Sequence, residues 1–192
     1  MSADSLILAS GSPRRRELLG SIGIRFEVFT ADIEEDNSSS GDPEKLVSLN
    51  ARAKAEWVAN RNPGRYILGA DTTVFLDGQI LNKPRDLAEA RSMLARLSGR
   101  THSVFTGLVL LHRNQGLEEV EVVFSGVRFR ELDLAAIEAY LAVVNPLDKA
   151  GAYAIQESGE MIVAGYTGSL SNIIGLPLDE TKAILARHSL LA

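Results

Sequence analysis

The chain has 192 residues, 45% of them hydrophobic and 23% charged, which is the balance of an ordinary globular protein and excludes disorder, collagen-like repeats and coiled coil. Lys and Arg number 20 against 25 Asp and Glu, so the net charge is −5, and a general nucleic-acid coat is excluded while a local basic pocket is not. The absence of cysteine removes disulfides, iron–sulfur clusters, thiolate zinc sites and cysteine nucleophiles. No run approaches the ~18 apolar residues of a membrane span. The start, with Asp4 and only Leu6–Ala9 apolar, lacks the basic and long apolar parts of a signal peptide. A cytoplasmic protein is therefore expected.

Strands and helices alternate along the chain. Leu6–Ala9 reads as a short strand, and Ser12-Pro13 opens a helix to about Ile22, with Ser at the cap and Pro at the first turn. Phe26–Ile33 reads as a second strand. Residues 37–42, Asn-Ser-Ser-Ser-Gly-Asp, read as an exposed loop. Asp42-Pro43-Glu44 starts a helix to about Asn60, with Leu46, Leu49, Ala53 and Trp57 at helical spacing, and Trp57 is expected in the core. Tyr66–Leu76 is a buried strand, Asp77-Gly78 a hairpin turn, and Gln79–Leu81 the return. Asp86–Leu97 is an amphipathic helix closed by Ser98-Gly99. His102–His112 and Val120–Arg130 form a strand pair, and Asp133 caps a helix to about Val144. Ala152–Ile155 and Met161–Ala164 read as short strands, and Pro177–His188 as the last helix. This order predicts an α/β fold with a long, partly antiparallel sheet.

Five segments carry candidate chemistry. In Ser10-Gly11-Ser12-Pro13-Arg14-Arg15-Arg16, three arginines occupy a helix first turn, where acidic residues are normally favoured. An anion such as phosphate would relieve that; the alternative is a solvated basic turn. Asp71, with Thr72 and Thr73, interrupts an apolar strand. A buried carboxylate there calls for a metal, a cation or several donors, unless it only fixes a turn. Lys83, before Pro84, is a phosphate candidate or an exposed turn lysine. Gln156 ends Asp148-Lys149-Ala150-Gly151-Ala152-Tyr153-Ala154-Ile155-Gln156, and its amide can read a base edge or pair with backbone. Residues 168–177 are a polar turn before the last helix. One of Asp32, Glu34, Glu35 and Asp36 could join Asp71 around Mg2+, or these four form a solvated acidic loop. His102, His112 and His188 lack metal spacing, and no Gly-x-Ser-x-Gly elbow exists.

Taken in order, these segments resemble the Maf family of nucleoside triphosphate pyrophosphatases. The likeness runs from Leu8 to Leu178. Its pieces are Ala-Ser-Gly-Ser-Pro-Arg-Arg-x-Glu-Leu-Leu from Ala9, Ala-Asp-Thr from Ala70, Lys-Pro from Lys83 and Leu-Ser-Gly-Arg-x-His from Leu97. Thr-Gly at Thr106, Asp-Lys-Ala-Gly-Ala-Tyr from Asp148 and Gly-Leu-Pro at Gly175 follow. Each is weak alone, and the ordered set is specific. The resemblance implies an inosine-triphosphatase-like fold, an elongated mixed sheet flanked by helices, as one domain over residues 1–192 with two lobes around a cleft, often as a homodimer. It implies hydrolysis of a nucleoside triphosphate to monophosphate and pyrophosphate with a divalent cation, Mg2+, Mn2+ or Co2+. The Asp148–Gln156 segment resembles the dTTP/UTP branch; 7-methyl-GTP hydrolysis, or a non-catalytic nucleotide-binding role in cell division, are the alternatives. By the same resemblance Asp71 is the general base. Arg14, Thr72 and Gln156 take part in substrate choice, and Ser10, Arg15, Lys54 and Lys83 line the triphosphate pocket. Glu35, with Asp71, is the acidic position near the metal. Asn82 departs from the pattern, in which Gly usually precedes Lys-Pro.

Overall fold

The computed structural model describes residues 6–37 and 41–191. Asp4 and part of the Ser-rich loop expected at 37–42 lie outside them. Three apolar residues form β1 (Leu6–Leu8), buried on both faces as a central parallel strand must be. α1 (Pro13–Ser21) and β2 (Phe26–Val28) follow, then α2 (Pro43–Ala59), whose cap is Asp42, accepting from the Glu44 and Lys45 amides. β3 (Tyr66–Leu76) turns into β4 (Gln79–Leu81) through Asp77 and Gly78, both at positive φ, +51° and +78°, as a tight hairpin turn demands. α3 (Leu87–Leu97), β5 (Thr101–His112), β6 (Leu117–Phe129) and α4 (Leu134–Leu141) come next. β7 (Val163–Thr167), α5 (Leu170–Ile174) and α6 (Leu178–Arg187) complete the chain.

The sheet order is β2-β1-β3-β5-β6-β7, with β4 on β3. β1 runs parallel to β2 and β3, and the β3–β4, β3–β5, β5–β6 and β6–β7 pairs are antiparallel. This is the mixed sheet expected. One feature of the register positions the site. β5 covers one edge of β3 from Ile67 to Phe75. On the other edge β1 pairs only with Tyr66–Leu68 and β4 only with Val74–Leu76. Among the described residues no strand pairs with residues 69–73 on that edge, and a slot opens there.

α2 crosses one face of the sheet at unusually close range. A Cβ at Gly69 would lie 2.4 Å from the Ala51 carbonyl oxygen, and one at Gly107 2.6 Å from that of Val47. The two glycines are what let the helix sit on the strands. The opposite face carries two apolar clusters. One joins Leu6, Leu8, Leu68 and Leu110 to Leu19, Ile184 and Leu185; the other joins Val74, Val104 and Phe129 to α3, α4 and Tyr153. Between them the cross-strand partners are Thr72 and Thr106, hydroxyls 2.9 Å apart.

Several expectations need correction. β2 stops at Val28 rather than Ile33, because β1, its one strand neighbour among the described residues, ends at Leu8. α4 ends at Leu141 rather than Val144. The strand expected at 152–155 is absent, with 150–152 a single helical turn, and the strand expected at 161–164 is shifted: 159–161 is another single turn and β7 begins only at Val163. Gly151 and Ala152 both have positive φ, +68° and +65°, which no strand admits. α5 lies inside the segment read as a polar turn. The buried face of α2 is Leu46, Val47, Asn50, Ala51, Lys54, Ala55 and Val58, so Leu49 and Ala53 face solvent. Trp57 is only half-buried, stacked under the Arg61 guanidinium at 3.5 Å.

Candidate active site

A cleft of about 390 Å³ occupies the slot beside β3 and brings together every site residue expected from the sequence. Asp71 points to the α2 side of the sheet. It is 7% exposed, and both of its oxygens are engaged: Oδ1 with Lys54 Nζ at 2.6 Å, Oδ2 with Asn50 Nδ2 at 3.2 Å. Lys54 also reaches Glu35 Oε2 at 3.1 Å. Asn50 and Lys54 are four residues apart, one helical turn, so both project from the same stripe of α2 toward Asp71. Asn50 does a second job. Its amide donates to the Asp36 carbonyl at 3.0 Å and its Oδ1 accepts from the Asp36 N–H at 2.9 Å, fastening the acidic loop that carries Glu35. Burial pushes the Glu35 carboxyl up, but Lys54 above all, with Lys83 and Arg15, outweighs it and holds it below its ordinary 4.5.

Thr72, the next residue on β3, points to the opposite face. There Arg15 spends its fork on three elements: Nε donates to the Gly175 carbonyl at 2.8 Å, Nη1 to Ser10 Oγ at 3.1 Å and Nη2 to Thr72 Oγ1 at 2.9 Å. Desolvation lowers the Arg15 pKa from its ordinary value, against the pull of Asp71 and Glu35, and Arg14 adds to the lowering. A guanidinium so placed stays charged, and its hydrogen bonds among the described residues go to neutral oxygens. Ser12 stands at the N-cap of α1, yet its hydroxyl makes no capping bond, and the first turn holds no acidic residue. The start of α1 therefore keeps uncapped N–H groups and a positive dipole end on the cleft wall.

The rim is formed by three further segments. Arg14 Nη1 lies 3.7 Å from Asp148 Oδ2 and 3.9 Å from Glu157 Oε1. Lys83 and Gln156 are exposed on the cleft lining. Asn82, where the pattern has Gly, donates to the Asn37 carbonyl at 2.7 Å, and its own carbonyl accepts from Gly151 N–H at 3.2 Å. Its side chain thus ties the acidic loop to the Lys83 loop. Deeper, His102 Nε2 and the Tyr153 hydroxyl are 2.7 Å apart, and burial pushes His102 down to about 4 and Tyr153 well above its ordinary 10. His102 and His112 are buried and His188 contacts Glu119, structural placements as expected.

Among the described residues no group of three or more His, Asp or Glu side chains gathers for a metal. Glu35 and Asp71, the two carboxylates expected at a metal, bracket the Lys54 ammonium. Two carboxylates that already bracket a cation suit a hard divalent ion whose remaining ligands are waters and substrate phosphates. Sequence reasoning missed Asn50 and Glu157, and named Thr106 in a motif without giving it a partner. Asn50 had one usable signal: its spacing of four from Lys54 on a helix face that is otherwise apolar.

Residues 5–188 match the family model described as "Maf-like protein". A dTTP/UTP pyrophosphatase of Myxococcus xanthus (strain DK1622) is 52% identical over 192 residues, 99% of this chain and 96% of that protein. A dTTP/UTP pyrophosphatase of Akkermansia muciniphila is 47% identical over 180 residues, 94% of each. Among solved structures, the Staphylococcus aureus Ham1 protein shares the fold at a TM-score of 0.56 and 15% identity, over 96% of this chain and 99% of that one. On the family model and these near-full-length relatives, the chain belongs to the Maf-like protein family.

Proposed function

We propose that the chain is a nucleoside triphosphate pyrophosphatase that hydrolyses dTTP and UTP to the monophosphate and pyrophosphate. The observation that carries this reading is the buried Asp71 carboxylate on the floor of a cleft whose walls supply Arg14, Arg15, Lys54 and Lys83. Four cations suit a triphosphate, and a binding role alone needs no buried carboxylate among them. The two relatives named dTTP/UTP pyrophosphatase support the pyrimidine assignment.

In this reading Ser10, Arg15, Lys54 and Lys83 hold the triphosphate. Asp71 takes a proton from a water whose oxygen bonds to phosphorus as the α–β bridge breaks and pyrophosphate leaves. When substrate draws Lys54 toward phosphate, Asp71 Oδ1 is released from its 2.6 Å ion pair and becomes available as a base. Asn50 keeps Oδ2 in place meanwhile. Glu35 and Asp71 would hold a divalent cation, which supplies Lewis-acid polarisation of the phosphate. Arg14 and Gln156 meet the rest of the nucleotide at the rim. Thr72, with its hydroxyl committed to Arg15 and Thr106, acts on substrate choice through Arg15.

We place the enzyme in the cytosol as one domain over residues 1–192, with two lobes about the cleft, and as a homodimer. No helix among the described residues is long and apolar enough to cross a membrane. The test is pyrophosphate release from a panel of dTTP, UTP, purine triphosphates and 7-methyl-GTP with Mg2+, Mn2+ or Co2+. Release mainly from dTTP and UTP is expected. Release mainly from 7-methyl-GTP overturns the pyrimidine assignment, and release from none overturns catalysis in favour of a nucleotide-binding regulator.

A further inference from the structure

Beside the Lys83 loop, which Gly151 N–H joins through the Asn82 carbonyl, the rim carries a charged device whose Lys149 and Glu157 the proposed chemistry leaves unused. Lys149 is 3% exposed, and its ammonium meets three acceptors: the Asn145 carbonyl at 2.8 Å, Asp148 Oδ1 at 2.9 Å and Glu157 Oε2 at 3.1 Å. Two hydrogen bonds and one ion pair, on a side chain that is almost fully buried, turn the Lys149 charge inward and away from a ligand. Its buried charge instead fixes two carboxylates that come from positions nine residues apart. The second oxygen of each faces the same atom, Arg14 Nη1, at 3.7 Å from Asp148 and 3.9 Å from Glu157. At those lengths Arg14 is steered by charge without being hydrogen-bonded, so it keeps its donors for another anion. The two cations and two carboxylates cancel. Glu157 also adjoins Gln156, and its N–H closes a turn on the Ala154 carbonyl at 3.3 Å.

We propose that Glu157 is a positioning residue: together with Asp148, and anchored by the buried Lys149, it holds the Arg14 guanidinium at the cleft rim, so that an incoming nucleoside triphosphate meets an arginine already oriented. The inference rests on the reading above in taking a nucleoside triphosphate as the ligand. A carboxylate that served only to keep Lys149 paired would be felt equally with or without Arg14. A carboxylate that acts through Arg14 would lose its effect once Arg14 is gone.

That difference is measurable by calorimetric titration of α,β-methylene-UTP, whose α–β bridge resists hydrolysis, with Mg2+ present. The proteins are wild type, Glu157→Gln, Arg14→Ala and the double variant. Glu157→Gln is expected to weaken binding about three- to tenfold, and to weaken it no further when Arg14 is already Ala. Equal weakening in both backgrounds, or unchanged affinity in Glu157→Gln, overturns the proposal. If Glu157→Gln does not fold, Glu157→Asp, which keeps the charge but withdraws it from Arg14, takes its place in the same four-protein comparison, and the same results uphold or overturn the proposal. Pyrophosphate release from UTP by wild type is read in parallel. Coupled binding without release would uphold the positioning role and sink the pyrophosphatase; release with additive variants would do the reverse.

Discussion

Asp71→Asn separates the chemistry of the site from its architecture. The substitution keeps the shape of the side chain, and one oxygen remains to accept from Lys54 or Asn50. What it removes is the charge and the basicity. Lys54 is not stranded, since Glu35 Oε2 stays at 3.1 Å, so the loss is smaller than for a buried ion pair with no alternative partner. We expect a cost of about 1–2 kcal/mol, the order of one charge-assisted hydrogen bond. For a chain of this length that lowers the melting temperature by roughly 2–8 °C. Turnover is a different matter. A general base contributes about 10²–10⁴-fold, so kcat for pyrophosphate release from dTTP should fall by that factor. Affinity for α,β-methylene-UTP measured without a divalent cation should change little, because in the proposed reading Ser10, Arg15, Lys54 and Lys83 hold the triphosphate, whereas with Mg2+ it should fall, since Asp71 would share the cation with Glu35. The assay is pyrophosphate release at saturating dTTP, beside a thermal melt of the same preparation. Wild-type turnover in the folded variant refutes the role of Asp71. Failure of the variant to fold at 25 °C refutes the account of Lys54 as a shared cation.

Three further outcomes follow from the geometry. Gly107→Ala puts a Cβ 2.6 Å from the Val47 carbonyl oxygen, so α2 must lift; we expect about 1–3 kcal/mol lost in urea melts and a fall in activity as Lys54 and Asn50 withdraw from Asp71, and a variant of unchanged stability would contradict the packing. Arg15→Lys cannot span three acceptors on three elements, so it should cost about 1–3 kcal/mol and raise KM, and unchanged KM would show that Arg15 is purely structural. His102 is held neutral with a pKa of about 4 in the fold against 6.5 ordinarily. Below 6.5 the unfolded chain takes up a proton that the folded one refuses, so stability should drop as pH falls from 6.5 to 4, by about 3 kcal/mol in all. His102→Gln should lack that component, and parallel pH profiles for the two proteins would exclude it.

The legible parts of the fold are those where one local rule acts alone. Asp42-Pro43-Glu44 announces α2 because capping is settled within four residues, and Asp77-Gly78 announces the hairpin because only such pairs accept two positive φ angles. Where the site intrudes, local rules mislead. The apolar stripe Leu46, Leu49, Ala53, Trp57 points α2 the wrong way, because the true buried face has given two of its positions to Asn50 and Lys54. The strand expected at 152–155 fails for a related reason: its apolar run is bent by Gly151 and Ala152 into a turn at the cleft. An Ala at φ +65° stores of the order of 1 kcal/mol, a strain the surrounding packing must hold. Contacts such as Arg15 with Thr72, 57 residues apart, have no local signature at all; the Maf resemblance named both residues but not their bond.

The polar residues inside α2 explain why the cleft is ready for a polyanion. Each of Asp71, Lys54 and Asn50 would be costly to bury singly. Together they satisfy one another, and the closest partners are the ones a substrate can exchange. Lys54 stands between two carboxylates, so moving toward a phosphate costs it one anion and offers another. Arg15, by contrast, is bonded among the described residues to neutral oxygens of Gly175, Ser10 and Thr72, so in the proposed reading its full charge meets the ligand from a fixed frame. One cation is therefore exchangeable and one is preorganised, on opposite faces of the same strand, at adjacent residues of β3. In the proposed reading, the slot left by the three-residue β1 is what would let a single ligand reach both.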